Sequence, residues 1–407
     1  MKVLPRLLAA LGAALALAAC ATASSPPPAA PLTILISIDG FRSDYLDRGV
    51  TPTLSSLAAH GVRGTMRPSF PSKTFPNHYA LITGLRPDRS GIVDNTIYDP
   101  AIPGVKFSMS DKSTTGDARW WNEATPIWVT AERAGLRTAV MFWPGSDAPI
   151  QGVRPSRWMP FNQALPAAAR TDQLLAWLDV PAAQRPRFGT LYFDEVDTAG
   201  HDFGPDSAEV NAAAARTDAA IARLVDGLKA RGIVANLVIV ADHGMAATPP
   251  DQKIFVDDLL PTDAIRAVTM GAFMSLSAVP GRQAQVEAAL LKPHPRMQCW
   301  RKADIPPRFH YGRNPRVPPY FCLPQTGWTI TTHSYRPKKP EVGNHGFDPY
   351  APEMAAVFVA DGPAFRPGAR PPVFDNVDIY PLMARLIGVK PEPNDGRLAD
   401  LAGVLAR

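Results

Sequence analysis

The sequence predicts an α/β domain built on a doubly wound, mostly parallel sheet with helices on both faces. Short apolar segments of strand length alternate with helical segments through most of the chain, as they do in α/β folds. Three of the apolar segments run directly into Asp or His residues, and strand ends are where open α/β sheets place their chemistry. The chain has 407 residues and no visible internal repeat, so one large domain accommodates most of it.

The first predicted strand and the first two helices precede residue 85. Residues 32–38 are apolar almost throughout, as expected for a strand buried on both faces, and they lead into Asp39. A helix is predicted over 51–61. A second, short helix begins near Thr74 and stops at Gly84, because a proline near the start and a glycine at the end are typical helix boundaries. Residues 84–103 carry turn signals and are predicted to be a loop.

Helices and strands alternate three more times in the middle of the chain. The pattern predicts helices over 124–135, 171–180 and 207–231, and strands over 137–143, 188–193 and 236–241. The second of these strands opens into a segment with Asp197 and His201, where Gly200 permits a sharp turn. The third ends in Asp242-His243. Because the C-terminal ends of parallel strands meet at one edge of a sheet, we expect these side chains to lie near Asp39.

The segment from 246 to about 344 differs in character from the rest. It is rich in proline and contains short alternating stretches such as 273–279, so we interpret it as an inserted cap. His345 and a strand over 355–359 return to the main sheet, and a helix over 378–386 closes the domain. The main domain is therefore expected to span 32–407, with the insertion inside it.

The N-terminus has the features of an export signal. Lys2 and Arg6 precede an apolar run that ends at Cys20 and is too short to span a bilayer, which predicts a signal peptide over 1–19. The residues before Cys20 resemble the bacterial lipoprotein cleavage box, in which that cysteine carries the lipid. A plain secretory signal cut near Ala23 is the alternative. Residues 20–31 form a Pro/Ser/Ala-rich tether, so the protein is expected in the periplasm, with lipid on Cys20 as its one membrane attachment.

Charge and cysteine content restrict the partners and the compartment. The net charge is +5, and removing the leader with Lys2 and Arg6 leaves +3, which is too weak to indicate nucleic-acid binding. Cys299 and Cys322 are the cysteines outside the leader, and an exported chain predicts a disulfide between them. It would close a loop of about twenty residues and stabilise the fold by roughly 3 kcal/mol. Two free buried thiols are the alternative.

Thr74 is a candidate nucleophile. A threonine hydroxyl needs an adjacent base or a metal to react at neutral pH, and no Ser/His or Cys/His pairing surrounds Thr74 in the sequence. A metal is therefore the better candidate. At a helix N-terminus Thr74 would also lie where backbone N–H groups and the dipole favour a phosphate. The alternative is an ordinary N-cap threonine.

Carboxylates and imidazoles accompany the predicted strand ends. With Thr74, the candidate metal ligands are Asp39, Asp197, His201, Asp242, His243 and His345. Mixed carboxylate and imidazole ligands suit zinc, and manganese less well. Six such ligands make two sites of three, each with open positions as catalysis requires. The remaining histidines lack an acidic strand-end context and are interpreted as structural or surface residues: His60, His78, His294, His310 and His333.

Five short motifs occur in order along the chain. They are Ile38-Asp39-Gly40-Phe41-Arg42, Lys73-Thr74-Phe75-Pro76-Asn77-His78, Asp197-x-x-x-His201, Asp242-His243-Gly244-Met245 and Gly343-Asn344-His345-Gly346. Over roughly residues 32–386 they resemble the nucleotide pyrophosphatase/phosphodiesterase family of the alkaline phosphatase superfamily. The second and fourth motifs are specific together, although Asp-His-Gly alone is shared by much of the superfamily. The resemblance implies an alkaline-phosphatase-like fold in a bacterial form that consists of the catalytic domain alone.

The resemblance also implies two zinc ions and a role for each site residue. One ion would be held by Asp39, Thr74, Asp242 and His243, and the other by Asp197, His201 and His345. Thr74 would attack phosphorus and form a phospho-threonine intermediate. Asn95 would donate to a phosphate oxygen, and Phe75 and Phe161 would clamp the base of a small nucleotide substrate. From the residues alone, a turn residue is the preferred interpretation of Asn95, and core packing is the alternative for Phe75 and Phe161.

Two rival functions use the same residues. The first is an alkaline phosphatase-type phosphomonoesterase with the same metal site. The second is a surface lipoprotein that binds metal or a ligand without turnover. The resemblance favours a phosphodiesterase that releases nucleoside 5′-monophosphates. The charge of the substrate points the same way, since a diester carries one negative charge fewer than a monoester dianion and therefore suits a site without arginine near the nucleophile.

Overall fold

The computed structural model of the protein describes residues 31–336, 339 and 341–406. The predicted signal peptide, Cys20 and all but the last residue of the predicted tether lie outside the described residues. Within the described part of the chain, no helix is both long enough and apolar enough to cross a membrane.

Eighteen strands form the sheets of the described chain. They are β1 (Leu32–Ile38), β2 (Val62–Arg67), β3 (Thr96–Tyr98), β4 (Lys106–Ser108), β5 (Thr138–Met141), β6 (Arg157–Trp158), β7 (Phe188–Phe193), β8 (Ala235–Val240), β9 (Ala246–Ala247), β10 (Lys253–Phe255), β11 (Ile265–Thr269), β12 (Met274–Ala278), β13 (Met297–Arg301), β14 (Tyr320–Pro324), β15 (Thr329–Thr331), β16 (Gly343–Asn344), β17 (Ala356–Asp361) and β18 (Phe374–Asp375).

The central sheet has eight strands in the order β18-β2-β17-β8-β1-β7-β5-β6. Only β17 runs antiparallel to its neighbours among these described strands, and the remaining pairings are parallel. β1 lies in the middle, and all seven of its residues are buried, which explains its unbroken apolar sequence. The predicted mostly parallel sheet is confirmed.

Ten α-helices accompany the strands within the described residues. They are α1 (Pro52–His60), α2 (Thr74–Thr83), α3 (Pro87–Ser90), α4 (Lys112–Thr115), α5 (Ile127–Arg133), α6 (Ala167–Leu178), α7 (Glu195–Phe203), α8 (Ala208–Ala230), α9 (Gln283–Leu290) and α10 (Ile379–Ile387). Helix α8 contacts both α1 and α6, and α10 contacts both α2 and α5. The fold is the predicted doubly wound α/β architecture.

A second, four-stranded antiparallel sheet lies within residues 246–344. Its order is β11-β12-β14-β13, and it has a small apolar core of its own with α9. Cys299 of β13 faces Cys322 of β14, and the predicted disulfide joins them. A groove of about 870 Å³ beside this disulfide holds none of the candidate metal ligands.

Three local predictions differ from the structure. Residues 84–103 are not only loop, because α3 and β3 lie within them. Helix α6 begins at Ala167 rather than at 171. Pro166 is its N-cap residue and has an extended conformation, so the helix starts directly after this proline. Gly200 does not form a sharp turn but lies inside α7, where a Cβ would come within 2.9 Å of Met245 Cε. The glycine therefore serves the close approach of α7 to the segment after β8.

Candidate metal centre

Three adjacent strands bring the predicted ligands to one edge of the central sheet. β1 lies between β8 and β7 in parallel register, so Asp39, the Asp242-His243 pair and helix α7 all follow neighbouring strand ends. Gly40 follows Asp39 with a φ of 68°, and a Cβ there would lie 3.0 Å from Asp197 Cα. This glycine therefore lets the end of β1 approach α7 closely.

The first group of side chains surrounds His243 Nε2. This atom lies 2.9 Å from Asp242 Oδ2, 3.5 Å from Asp39 Oδ1 and 3.3 Å from Thr74 Oγ1. All four residues are buried. The structure thus assembles residues from three separate stretches of sequence within the reach of one ion.

The second group centres on Asp197. Its Oδ2 lies 3.5 Å from His201 Nε2 and its Oδ1 lies 3.6 Å from His345 Nε2. Asp197 and His201 are four residues apart on α7, so they project from the same face of the helix. The side chains of both are partly exposed, at 17% and 22%. The second group therefore lies nearer to solvent than the first.

Each histidine of the two groups is oriented by a main-chain carbonyl. His201 Nδ1 is 2.9 Å from the Gly343 oxygen, and His345 Nδ1 is 2.9 Å from the Ser72 oxygen. His243 Nδ1 is likewise 2.9 Å from the Gly244 oxygen. A carbonyl can only accept, so Nδ1 is the donor and Nε2 is left to face the centre. Metal-bound histidines are held in this way.

The carboxylates of the two groups have unsatisfied oxygens. Asp39 Oδ1, Asp197 Oδ1 and Asp242 Oδ2 are buried without a hydrogen-bond partner among the described residues. Buried polar atoms are nearly always paired, and an unpaired buried charge costs several kcal/mol. Asp39 Oδ1 and Asp242 Oδ2 face His243 Nε2, and Asp197 Oδ1 faces His345 Nε2. Such a set of carboxylate and imidazole donors fits a site for cations, and zinc in particular.

The pKa shifts in the centre follow from burial and close charge. Burial, together with the charge of Asp242, raises the pKa of Asp39 well above its usual value. Burial opposes ionisation of Asp242, but His243 and His78 hold the pKa of Asp242 well below its usual range. Burial also disfavours a charged His243, yet Asp242 raises the pKa of His243. The negative charge of Asp242 therefore favours a positive charge beside it.

Thr74 and Asn95 meet at the start of α2. Thr74 is the first residue of the helix and is 4% exposed. Asn95 Oδ1 accepts from the Phe75 N–H at 2.9 Å, so the side chain of Asn95 caps one of the free donors of the first turn. Its Nδ2 group has no acceptor among the described residues. The Asn95 side chain is therefore held at the first turn of α2, on the residue that follows Thr74.

A family model now decides what kind of site this is. The model described as "Type I phosphodiesterase / nucleotide pyrophosphatase" matches residues 33–348, which is more than half of the chain. The chain belongs to this family. The match places it among hydrolases that act on nucleotide phosphodiesters and pyrophosphates.

Several relatives in the family match most of the length of this chain. A pyrophosphatase/phosphodiesterase of Schizosaccharomyces pombe is 37% identical, covering 89% of this chain and 78% of its own. Human ectonucleotide pyrophosphatase/phosphodiesterase family member 1 is 35% identical over 92% of this chain, which spans 42% of that longer protein. The bis(5′-adenosyl)-triphosphatase of Xenopus laevis is 34% identical, covering 92% of this chain and 82% of its own.

Solved structures of the family share the fold. Murine ectonucleotide pyrophosphatase/phosphodiesterase 5 superposes with a TM-score of 0.88 at 31% identity, covering 92% of this chain and all of that one. The human counterpart gives the same TM-score at 32% identity. The predicted alkaline-phosphatase-like fold is confirmed.

A cavity of about 450 Å³ opens beside the candidate metal centre. Its walls include Asp39, Thr74 and Asp197 and also the half-buried rings of Phe75 and Phe161. Phe161 packs on Phe142 with ring centroids 5.1 Å apart, and Phe142 has a φ of 61°, which is uncommon for a residue with a side chain. Both predicted aromatic residues thus line one cavity together with the candidate nucleophile.

His78 is closer to the centre than the sequence suggested. It is fully buried, with Nε2 2.8 Å from Ser37 Oγ and Nδ1 2.9 Å from the Thr74 oxygen. The same Nδ1 lies 3.3 Å from Asp242 Oδ2. The available signal was its position four residues after Thr74, which places both on one face of a helix. Because both ring nitrogens already have partners, His78 supports Asp242 and helix α2.

Proposed function

We propose that the protein is a zinc-dependent phosphodiesterase that hydrolyses nucleotide phosphodiester or phosphoanhydride bonds and releases nucleoside 5′-monophosphates. One observation carries the proposal. The Thr74 hydroxyl lies 3.3 Å from His243 Nε2 and lines a cavity together with two aromatic rings. Three buried carboxylate oxygens of the same centre have no hydrogen-bond partner within the part of the chain that the structure describes. A murine structure with a TM-score of 0.88 is a complex of an inactive form with AMP, which supports a nucleoside monophosphate product.

The two groups of side chains would each hold one zinc ion. Asp39, Thr74, Asp242 and His243 would hold the first, and Asp197, His201 and His345 the second. Zinc at these positions supplies Lewis acidity and makes a coordinated hydroxyl or water more acidic. The orphaned carboxylate oxygens and the outward Nε2 atoms support this division.

Thr74 supplies the nucleophile in a two-step displacement. Its hydroxyl gives its proton to solvent, and Oγ1 forms a bond to phosphorus. The bond from phosphorus to the leaving oxygen breaks, and that oxygen keeps the electron pair and takes a proton from water. A water molecule then attacks the phospho-threonine, the Oγ1–phosphorus bond breaks, and Thr74 regains a proton as the nucleoside 5′-monophosphate leaves.

Asn95 stabilises the charge that develops on phosphate. Its Oδ1 is occupied by the Phe75 N–H, so Nδ2 is the group that can donate to a non-bridging oxygen. A preorganised donor of this kind is worth about 3 kcal/mol of transition-state stabilisation.

Phe75 and Phe161 would bind the base of a small nucleotide. Their rings line the cavity that contains Thr74, and base–aromatic stacking contributes about 1–3 kcal/mol per base. With a net charge of +5 over 407 residues, a nucleic-acid partner is not expected.

We further infer that the protein is exported. The disulfide between Cys299 and Cys322 supports an oxidising compartment. The signal peptide over 1–19, the tether over 20–31, the lipid on Cys20 and the periplasmic location stay predictions, as does the division of 32–407 into a catalytic domain with an insertion at about 246–344.

The deciding experiment compares two chromogenic substrates. Zinc-loaded protein is assayed on p-nitrophenyl thymidine 5′-monophosphate and on p-nitrophenyl phosphate, with and without a chelator. A large preference for the diester that the chelator abolishes is the expected result. A preference for the monoester would move the protein to the phosphomonoesterase function, and absence of turnover with bound zinc would leave a metal-binding lipoprotein.

A further inference from the structure

The phenol of Tyr192 contacts the candidate metal centre at Asp39. Its Oη donates a hydrogen bond of 2.6 Å to Asp39 Oδ2, and Tyr192 is 8% exposed. Tyr192 lies opposite Ser37 in the parallel pair of β7 and β1, and Asp39 follows Ser37 by two residues. Side chains two apart along a strand share a face, so the strand register itself brings the phenol to the carboxylate.

This hydrogen bond divides the two oxygens of Asp39 between different tasks. Oδ2 is taken by the Tyr192 hydroxyl, whereas Oδ1 is buried without a hydrogen-bond partner in the described chain and lies 3.5 Å from His243 Nε2. A carboxylate free to rotate about its χ2 could present either oxygen or both. One that is held at Oδ2 presents Oδ1 alone to the centre.

We propose that Tyr192 is a positioning residue that fixes Asp39 so that only Oδ1 is available to the metal. This inference rests on the proposed function, because it assigns Asp39 as a ligand. Hydrogen bonds to metal-bound carboxylates keep the ligand oriented, and their loss typically weakens metal binding 10–100-fold.

The ring of Tyr192 has a separate, structural task. It packs edge-on against His78 with centroids 5.1 Å apart and lies 6.0 Å from the Phe161 ring. Tyr192→Phe keeps this packing and removes only the hydroxyl. The substitution therefore separates the hydrogen bond from the ring contacts.

A matched control exists in the inserted segment. Tyr320 is 6% exposed, and its hydroxyl donates to Glu287 Oε1 at 2.9 Å, far from the candidate ligands in sequence and within the separate small core. Tyr320→Phe therefore removes the same kind of phenol–carboxylate bond. It should leave zinc binding unchanged.

The test measures the zinc dissociation constant of each variant by competition with a chelating dye. Tyr192→Phe should bind the zinc that Asp39 holds about 10–100-fold less tightly than the wild type, and Tyr320→Phe should match the wild type for both ions. Tyr192 also lines the cavity that contains Thr74 and Phe161, and Tyr192→Phe keeps its ring there. At saturating zinc, the KM for a nucleotide substrate should therefore change much less than the zinc affinity. Equal zinc affinity in Tyr192→Phe and the wild type would overturn the inference.

A double-mutant cycle identifies the residue through which Tyr192 acts. In an Asp39→Asn background, Tyr192→Phe should change the zinc affinity less than about twofold, because the carboxylate that the phenol orients is gone. A full loss in that background would show that Tyr192 acts through packing and would reject the inference. Failure of the wild type to bind zinc would instead reject the proposed function, so the two failures are distinguishable.

Discussion

The imidazole rings of His243 and His345 stack face to face, with centroids 3.5 Å apart and planes within 13°. One ring belongs to the group around Thr74 and the other to the group around Asp197, so the two groups are in direct contact. Each ring is anchored at Nδ1 by a main-chain carbonyl. The two proposed ion sites would therefore lie on either side of one packed pair of imidazole rings.

Thr74→Ala should abolish turnover. Removal of the nucleophile leaves no residue to form the covalent intermediate, and losses of 10³-fold or more are typical for such groups. Thr74→Ser should retain part of the activity, because it keeps a hydroxyl. The kcat of the zinc-loaded variants on p-nitrophenyl thymidine 5′-monophosphate measures both effects.

The control for this prediction lies on the same helix. Thr83 is also buried, and its hydroxyl donates to the Tyr79 carbonyl at the far end of α2. Thr83→Ala should leave kcat within about twofold of the wild type. Full activity in Thr74→Ala would contradict the proposed mechanism.

Asn95→Asp should reduce kcat as strongly as Asn95→Ala. The aspartate keeps an oxygen that accepts from the Phe75 N–H, but it replaces the amide donor with a negative charge that repels phosphate. The expected loss for either variant is about 3 kcal/mol, or roughly 10²-fold in kcat. If Asn95→Asp retained wild-type kcat while Asn95→Ala did not, Asn95 would be a helix cap only.

Phe161→Ala should raise the KM for a nucleotide diester and leave the KM for bis(p-nitrophenyl) phosphate nearly unchanged. The ring lines the cavity beside Thr74 and would stack on the base, which a substrate without a base does not offer. About 1–3 kcal/mol of stacking corresponds to a change in KM of roughly 5–150-fold. Tyr98→Ala, at an aromatic residue that is 51% exposed, is the control and should alter neither KM. Equal effects on both substrates would assign Phe161 to packing.

Asp94 should make the stability of the protein depend on pH. Burial raises the pKa of Asp94 to about 6, although Thr269 Oγ1 donates to its Oδ2 at 2.6 Å. A folded-state pKa above the unfolded value of 3.8 means that the fold favours the protonated form. The stabilisation is therefore complete below pH 3.8 and is lost as the pH rises through 6. Above that pH, the free energy of unfolding is lower by about 3 kcal/mol than it is at low pH as far as Asp94 is concerned.

Asp94→Asn should remove this dependence. The gain in unfolding free energy of the variant over the wild type should grow between pH 4 and pH 7 and then level off. Urea unfolding of metal-free protein measures it, so that release of zinc at low pH does not contribute. Parallel pH profiles for the two proteins would show that Asp94 is not a perturbed carboxyl.

The sequence predicted the central elements well and their surroundings less well. Residues 188–193 and 32–38 were predicted within their observed bounds, because an unbroken apolar run of strand length has few other outcomes in an α/β protein. The conformation around Asp197 and His201 was predicted as a turn and is a helix. A glycine beside two polar residues is a local turn signal, and the packing of α7 against Met245 overrides it.

The sequence by itself determined the strand ends, the ordered motifs and hence the residue types at the site. These depend on local hydrophobic pattern and spacing. Only the tertiary structure decided that Tyr192 bonds Asp39, that His78 supports Asp242 and that Phe161 shares a cavity with Thr74. Such contacts join residues that are far apart in the sequence. They arise from sheet register and from the packing of helices on the sheet, which no local periodicity encodes.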